Sequence, residues 1–437
     1  MTTNSHTLTR RTALKSLAAV TGSGLLFGSG TTSASALPDG AISEEEYEPP
    51  FPDAPVLEIA DEVKRLGNRY DLLVGDKDQK LEYLDQADLD RETYRQTREF
   101  LIDLWRAYPT ERVTDGNVTT VRLENGIFSD SSARTLDQRH SVGLDEAAKA
   151  VDAGASNVWR NDHVGPMWNP KDHRHMVKTA TDQMSDHVDA PVRPRRAQVE
   201  ADDPDDWDAV QELNVDPEDD SVGDYVRDQA ANWLISKVNK VNHSVSHYYN
   251  PEGPQITVNV GNGWFSRDVT IDCGPTGSAP KYADKWAKKA RRANGETRWR
   301  RAGYASHFLT DAGNPLHTGL ESQQFNNRWV HTAFEWYIQR NWTQDRAGHY
   351  DHTFEPFFKG HKDDEVHWFP ISDPNKATKE LARSSHQYAW QIYDYIHTHG
   401  NSSNPGDWDA NEIHPQAANA IHKTGLYLRG LIKYICG

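Results

Sequence analysis

The chain has 437 residues, 36% of them hydrophobic and 10% aromatic, with a mean hydropathy of −0.82. That length supports two or three domains and a sizeable core, which excludes a disordered tail protein, and no internal segment reaches the roughly 18 consecutive apolar residues of a membrane span. Asp and Glu outnumber Lys and Arg by 65 to 48, a formal net charge of −17, so long-range attraction to nucleic acid or anionic lipid is disfavoured.

At the N-terminus, Thr9-Arg10-Arg11-Thr12-Ala13-Leu14-Lys15 precedes a Gly-rich apolar stretch from Ser16 to about Gly30 and a small-residue exit, Ser33-Ala34-Ser35-Ala36. The pattern resembles a twin-arginine export signal over residues 1–36, and the stretch is too short and too broken by Ser and Thr for an anchor. Such signals move folded cargo, so the expected location is secreted or extracellular. Cys273 and Cys436 are the only cysteines. In an exported protein they could pair, and spacing alone leaves this open.

Residues 44–55, EEEYEPPFPDAP, read as a disordered, Pro-rich linker. LEIADEVKRLGNRYDLL and LDRETYRQTREFLIDLWRAY repeat apolar residues at helical spacing, NVTTVRLENGIF reads as extended, and LDEAAKAV as helical. Residues 37–158 are thus expected to form a mostly helical N-terminal extension, read as a module, a cover or a pro-segment. From Trp159 to 437 histidines and tryptophans become dense. HRHMVKTATDQM predicts a helix. The acidic runs at 201–208 and 216–220 read as an inserted loop whose charge suits solvation in concentrated salt. QITVNVGNGWFSRDVTIDC alternates with period two around Gly261-Asn262-Gly263, which predicts a hairpin, either a groove wall or an insertion packed on helices. The remaining segments have helical spacing, so the expected fold class is all-α, a multi-helix bundle with an inserted β-hairpin.

The densest chemistry lies in HFLTDAGNPLH, His307 to His317, followed by HTAFE, His331 to Glu335. His307 and Asp311 are four apart on one helical face. Gly313 is expected to close that helix in the left-handed conformation, and Pro315 bars Asn314 from it, so His317 arrives from a new direction. His331 and Glu335, again four apart, share a face of the next helix. Imidazoles and carboxylates converging in this way are the ligand set zinc prefers. Five residues at these offsets are expected by chance about 0.001 times in a chain of this composition.

The spacing of His307, Asp311, His317, His331 and Glu335 resembles that of the bacterial zinc-dependent phospholipase C family, whose His-Tyr-Leu-Gly-Asp-x-x-x-Pro-x-His stretch is similar to HFLTDAGNPLH. SHYYNPEG, Ser246 to Gly253, resembles the segment that nominates His247, with His243 as a neighbouring alternative. DHRHMVKTATDQM resembles the segment that nominates His173 over His175, and AIHKTGLYLRGLIKYI looks like the family's last helix. The resemblance covers 159–437, implying a phospholipase C-like catalytic domain there. It implies up to three zinc ions: one held by His247, His307 and Asp311, a second by His317, His331 and Glu335, and a third by His173 with a bridging Asp311. It nominates Asp224, with Asp228 as rival, as the catalytic base for the attacking water. In the family a free N-terminal Trp binds the third zinc, whereas Trp159 here lies inside the chain. Either processing after Val158 exposes it or that site is built differently.

The expected activity is zinc-dependent phosphodiester hydrolysis on the glycerol side of a phospholipid, with transient membrane-surface contact and no stable nucleic-acid partner. The related single-strand-specific zinc nucleases are the nearest alternative, although their second ligand pair lies farther downstream and ends in Asp. A non-catalytic surface protein with structural zinc is the other, but such sites are closed by four protein ligands and these sets offer about three each. His349, His352, His361 and His367 read as surface or packing residues.

Overall fold

The computed structural model describes residues 37–64, 72–124, 139–160, 170–201, 247–252, 255–260, 267–272, 277–318, 328–342, 353–360, 365–399 and 410–437, with single residues 204 and 275. The export signal, the acidic runs beyond Ala201, Asp224, Asp228, His243, Gly261 to Gly263, Cys273, His349, His352 and His361 lie outside them. In chain order the elements are β1 (Val56–Ile59), α1 (Asp61–Lys64), α2 (Lys77–Asp85), α3 (Arg91–Ala107), β2 (Thr110–Asp115), β3 (Val118–Leu123), α4 (Leu144–Arg160), α5 (Pro170–Gln183) and α6 (Pro194–Glu200). There follow β4 (Gln255–Val260), β5 (Arg267–Asp272), α7 (Ala279–Arg291), α8 (Gly295–Gly313), α9 (Arg328–Arg340), α10 (Phe354–Lys359), α11 (Pro374–His386), α12 (Ala389–His399) and α13 (Ala410–Cys436). None of the described helices is long and apolar enough to cross a membrane.

The architecture is mostly helical, but it is not all-α. β1 pairs in parallel with β3 and β2 pairs antiparallel with it, giving a small mixed sheet of order β1-β3-β2. Val56–Ile59 begins a stretch with helical spacing, yet it is a strand with Leu57 and Ile59 turned into the core. Its partner lies far along the chain, at Val118 to Val121, and a pairing of that range leaves no local periodicity. Thr110–Asp115 forms the other edge with no buried residue, so it lacks the alternation that reveals a strand. The expected hairpin is present: β4 pairs antiparallel with β5, Ile256 opposite Ile271 and Val258 opposite Val269.

Helix α8 is the axis of the bundle. From Ala302 to Gly313 every residue is buried, and Ala302, Gly303, Ala305, Ser306, Ala312 and Gly313 are small enough for α5, α6, α7, α11 and α13 to pack around it. The helix continues through Gly313 rather than ending there in a left-handed residue. A Cβ at that position would lie 2.1 Å from Thr424 Oγ1 of α13, so the glycine serves close helix packing. Asn314 is extended (φ −78°, ψ 117°), as Pro315 requires, and its Oδ1 accepts from Leu316 N at 3.0 Å to start the single turn Pro315–His317.

Residues before 159 share the core with those after. Helix α2 packs on α4, whose span contains the 158/159 junction. Tyr83 Oη donates to His397 O at 2.9 Å, and the Arg112 guanidinium donates to both oxygens of Asp394 at 2.7 and 2.8 Å. The Asn419 amide brackets Phe51, accepting from its N at 2.9 Å and donating to its O at 2.7 Å. Phe51 and the buried Ala54 pack into the core, so residues 44–55 are not the disordered linker that their composition suggests. Contacts group Gly40–Gly437 as one unit. Cys436 is a free thiol, buried near the end of α13 and pushed up to about 11 by that burial.

Candidate metal centre

Five segments deliver the site. Helix α5 brings His173, the loop before β4 brings His247, α8 brings His307 and Asp311, and the Pro315–His317 turn with α9 brings His317, His331 and Glu335. Two groups result, His173/His307/Asp311 and His317/His331/Glu335, each with donor atoms within 4.8 Å of one another and each fully buried, so both could hold a metal ion.

Asp311, 1% exposed, stands between the two groups. Its Oδ2 lies 2.8 Å from His247 Nδ1 and 3.2 Å from His307 Nε2. Its Oδ1 lies 3.4 Å from His173 Nε2 and 3.3 Å from His317 Nδ1. Donors about 2.0–2.2 Å from a tetrahedral zinc stand about 3.3–3.6 Å apart, so the contacts of Asp311 with His173 and His307 are of the size an ion between them would set. In the second group Glu335 Oε1 lies 2.8 Å from His331 Nε2 and 3.4 Å from His317 Nε2, and these two imidazole nitrogens also face each other.

The outer atoms fix which nitrogens point inward with lone pairs. Thr310 Oγ1 lies 3.0 Å from Ser306 O, 2.9 Å from His307 O and 2.6 Å from His173 Nδ1, so whenever its one hydrogen serves a backbone carbonyl it accepts from His173. His307 Nδ1, 2.7 Å from the Ala201 carbonyl, must carry a hydrogen. The His307 ring is therefore protonated on the outside, as is His173 when it donates to Thr310, and as neutral imidazoles their Nε2 lone pairs are aimed at Asp311. A lone pair facing a carboxylate is repulsive unless a cation lies between them, and metal ligation removes that conflict. Glu335 Oε2 is buried and without a hydrogen-bond partner among the described residues, a further acceptor on a ligand of the second group.

Without an ion, protons substitute. Burial pushes the Asp311 carboxyl up, but the charges of His307 and His247, with hydrogen bonds from His173 and His247, outweigh it and hold Asp311 well below the usual carboxylate range. Burial lowers His317, yet hydrogen bonds to Asp311 and Glu335 raise it to about 9. Glu335 is pushed up by burial and brought below its ordinary value by His331 and His317. Metal binding must displace such protons, so it is expected to release them.

The segment that follows His247 is anchored at two points. Tyr249 N donates to His317 O at 3.1 Å and Ala279 N to Tyr248 O at 3.4 Å. Gly277 (φ +109°) passes so close to the Tyr248 carbonyl that a Cβ there would lie 2.1 Å from its oxygen. The Tyr248 ring lies edge-on to His317 with centroids 4.6 Å apart. Comparison of the sequence with protein-family models and with curated proteins gives no match.

The structure brings together all seven sequence-nominated metal ligands. His175, the alternative to His173, lies instead beside Trp342. Trp159 is in helix α4, continuous with Val158, so the described chain presents no free amine there. Sequence reasoning missed Thr310, Ala201, Asn314 and Tyr248. Thr310 had a legible signal, since it falls three residues after His307 on the same helix. The Ala201 carbonyl had none, because any residue supplies a carbonyl.

Proposed function

We propose that the chain is a secreted zinc-dependent phosphodiesterase, acting as a phospholipase C on the glycerol-side phosphodiester of phospholipids. The observation that carries this reading is Asp311, a buried carboxylate shared by His173, His247 and His307 on one side and by His317 of the adjacent donor group on the other. Each group offers about three protein donors, which leaves coordination room for water or substrate, whereas structural zinc sites are closed by four. Zinc is among the ions that mixed imidazole and carboxylate donors hold. Bound there, it would supply Lewis-acid stabilisation of phosphoryl charge and lower the pKa of a water toward about 7.

The chain's own residues do the rest. His173 and His307 are fixed in rotation by Thr310 and the Ala201 carbonyl, which preorganises their inner nitrogens. Asp311 ties the two groups to one spacing, suited to gripping both nonbridging oxygens of a phosphodiester. His247, at 15% side-chain exposure the most open of the donors, marks the side from which substrate would enter. Asp224 is assigned the base that accepts the proton of the attacking water, with Asp228 as its rival.

The test is metal content of purified protein followed by turnover of a phosphatidylcholine analogue and of single-stranded DNA, before and after chelation and zinc return. About two to three zinc per chain, with lipid turnover lost and regained, is expected. Turnover of DNA alone would move the assignment to the nucleases, and full metal with no turnover of either would make the centre structural. N-terminal sequencing of active secreted protein decides between a start near Leu37 and one at Trp159.

A further inference from the structure

Although the chain is strongly acidic, one face is not. Between Lys281 and Arg301 nine residues are Lys or Arg and two are acidic. The structure places seven of the nine, all but Lys281 and Lys285, at one end of three helices. Helix α7 ends with exposed Lys288, Lys289, Arg291 and Arg292, α8 begins beside them with exposed Arg300, and α6 begins there with exposed Arg195. The ends are tied together by Arg301 donating to Lys289 O at 3.1 Å, Trp299 Nε1 donating to Pro191 O at 3.0 Å, and an Arg193–Glu296 pair at 3.3 Å. Asp284 pairs with Lys288 at 2.7 Å, but Lys289, Arg291, Arg292, Arg300 and Arg195 meet no carboxylate among the described residues.

Positive charge held apart in this way, on a molecule that otherwise repels anions, calls for an anionic partner. Two features favour a lipid surface over a nucleic acid. The aromatic rings on this face are covered by cations: Lys289 lies over Trp286 at 4.5 Å and Arg291 over Tyr434 at 4.7 Å. Neither ring is presented flat for base stacking, the usual grip on single strands. Val199, one of three large hydrophobic side chains exposed among the described residues, projects from the same short helix as Arg195 at 47% exposure, and an aliphatic group beside arginines suits a lipid headgroup boundary.

The face also leads to the centre. Both α6 and α8 run from it toward the metal ligands, meeting where the Ala201 carbonyl holds His307. Arg300 and His307 are seven residues apart on α8, about 10 Å along the axis. We propose that the basic end of α6, α7 and α8 docks the protein on an anionic phospholipid surface, bringing membrane phosphodiesters within reach of the Asp311 centre. The docking itself stands on the charge arrangement, and its use in delivering substrate rests on the phospholipase reading above.

The experiment is sedimentation of the full, metal-loaded protein with vesicles of phosphatidylcholine alone and of equimolar phosphatidylcholine and phosphatidylglycerol, for the wild type and for K289E/R292E/R300E. Binding should appear with phosphatidylglycerol. At about fivefold per basic residue near an anionic surface, the triple variant should lose on the order of a hundredfold or more. Hydrolysis of a water-soluble phosphodiester, p-nitrophenyl phosphorylcholine, should be unchanged, which shows that the variant is folded and metal-loaded. Equal binding to both vesicles, or binding by the variant equal to the wild type, overturns the proposal, as does charge-dependent retention of single-stranded DNA without vesicle binding. Patch-dependent vesicle binding without lipid hydrolysis upholds docking and removes only the phospholipase assignment.

Discussion

Among the described residues charge is buried in several places, and a contrast between two of them separates a site from a scaffold. Around Gly75, at the seam between the N-terminal section and α12, Lys80, Asp394 and His397 crowd together, with Arg112 at the edge. There hydrogens meet acceptors: Arg112 donates twice to Asp394, and Lys80 donates to the Val74 carbonyl. Around Asp311 the outer nitrogen of His307 already carries a hydrogen, so with that ring neutral its inner nitrogen faces the carboxylate as one acceptor faces another. Burial of charge is common to both. An excess of lone pairs over hydrogens belongs to the centre alone, and it marks a place for a cation.

The sharpest break of this contrast is a matched pair of substitutions that remove a charge and keep the shape. Asp311→Asn should strip metal and lower turnover by about a thousandfold or more, the scale of losing a principal electrostatic stabiliser. Asp394→Asn should leave metal content and turnover as they are. Metal analysis with initial rates reads both, and equal metal loss in the two proteins would erase the distinction.

Chelation is the next largest effect. An ion held at a thousandfold excess over its Kd stabilises the fold by about 4 kcal/mol, so the metal-free protein should melt well below the loaded one. In Asp311→Asn the chelator should produce almost no shift, and in Asp394→Asn the full shift. At the seam the cost is smaller. Asp394 is 12% exposed but Arg112 is 45% exposed, so solvent screens the pair, and Asp394→Asn should cost about 1–2 kcal/mol in denaturant unfolding. A loss of more than twice that would mean the seam is a larger determinant of stability than its exposure implies.

The same contrast explains what could be read from the sequence. The centre was legible because four of its donors come in pairs four apart on helices, with Pro315 announcing the turn between them, whereas His173 and His247 were nominated by resemblance alone. Regular helices convert spacing into direction. The seam was not legible, because Arg112 and Asp394 are 282 residues apart and Arg112 sits on an edge strand with no alternation. The parallel β1–β3 pairing was hidden for the same reason. Gly313 was misread because a local rule for glycine was applied where the constraint comes from Thr424 on another helix. The basic end of α7 and α8 was concealed by the net charge, since a total averages away a cluster of opposite sign.

The smallest effect tests the seam by pH. His397 is fully buried, and burial first, then the Lys80 charge, hold its pKa well below the ordinary histidine value. A histidine depressed in the folded state takes up its proton first in the unfolded chain. The stability it contributes is therefore present above about pH 6.5 and is lost as pH falls below that, by at most about 1.4 kcal/mol per pH unit. The metal ligands titrate too, so the useful comparison is between chelated wild type and chelated His397→Phe, with the loss of stability from pH 7 to pH 5 measured by denaturant unfolding. The phenylalanine can keep the edge-on contact with Tyr83, where the ring centroids are 5.2 Å apart, and it cannot take a proton, so its stability should fall less over this range. A variant that falls as steeply as the wild type would place the acid sensitivity elsewhere in the molecule and leave the seam indifferent to pH.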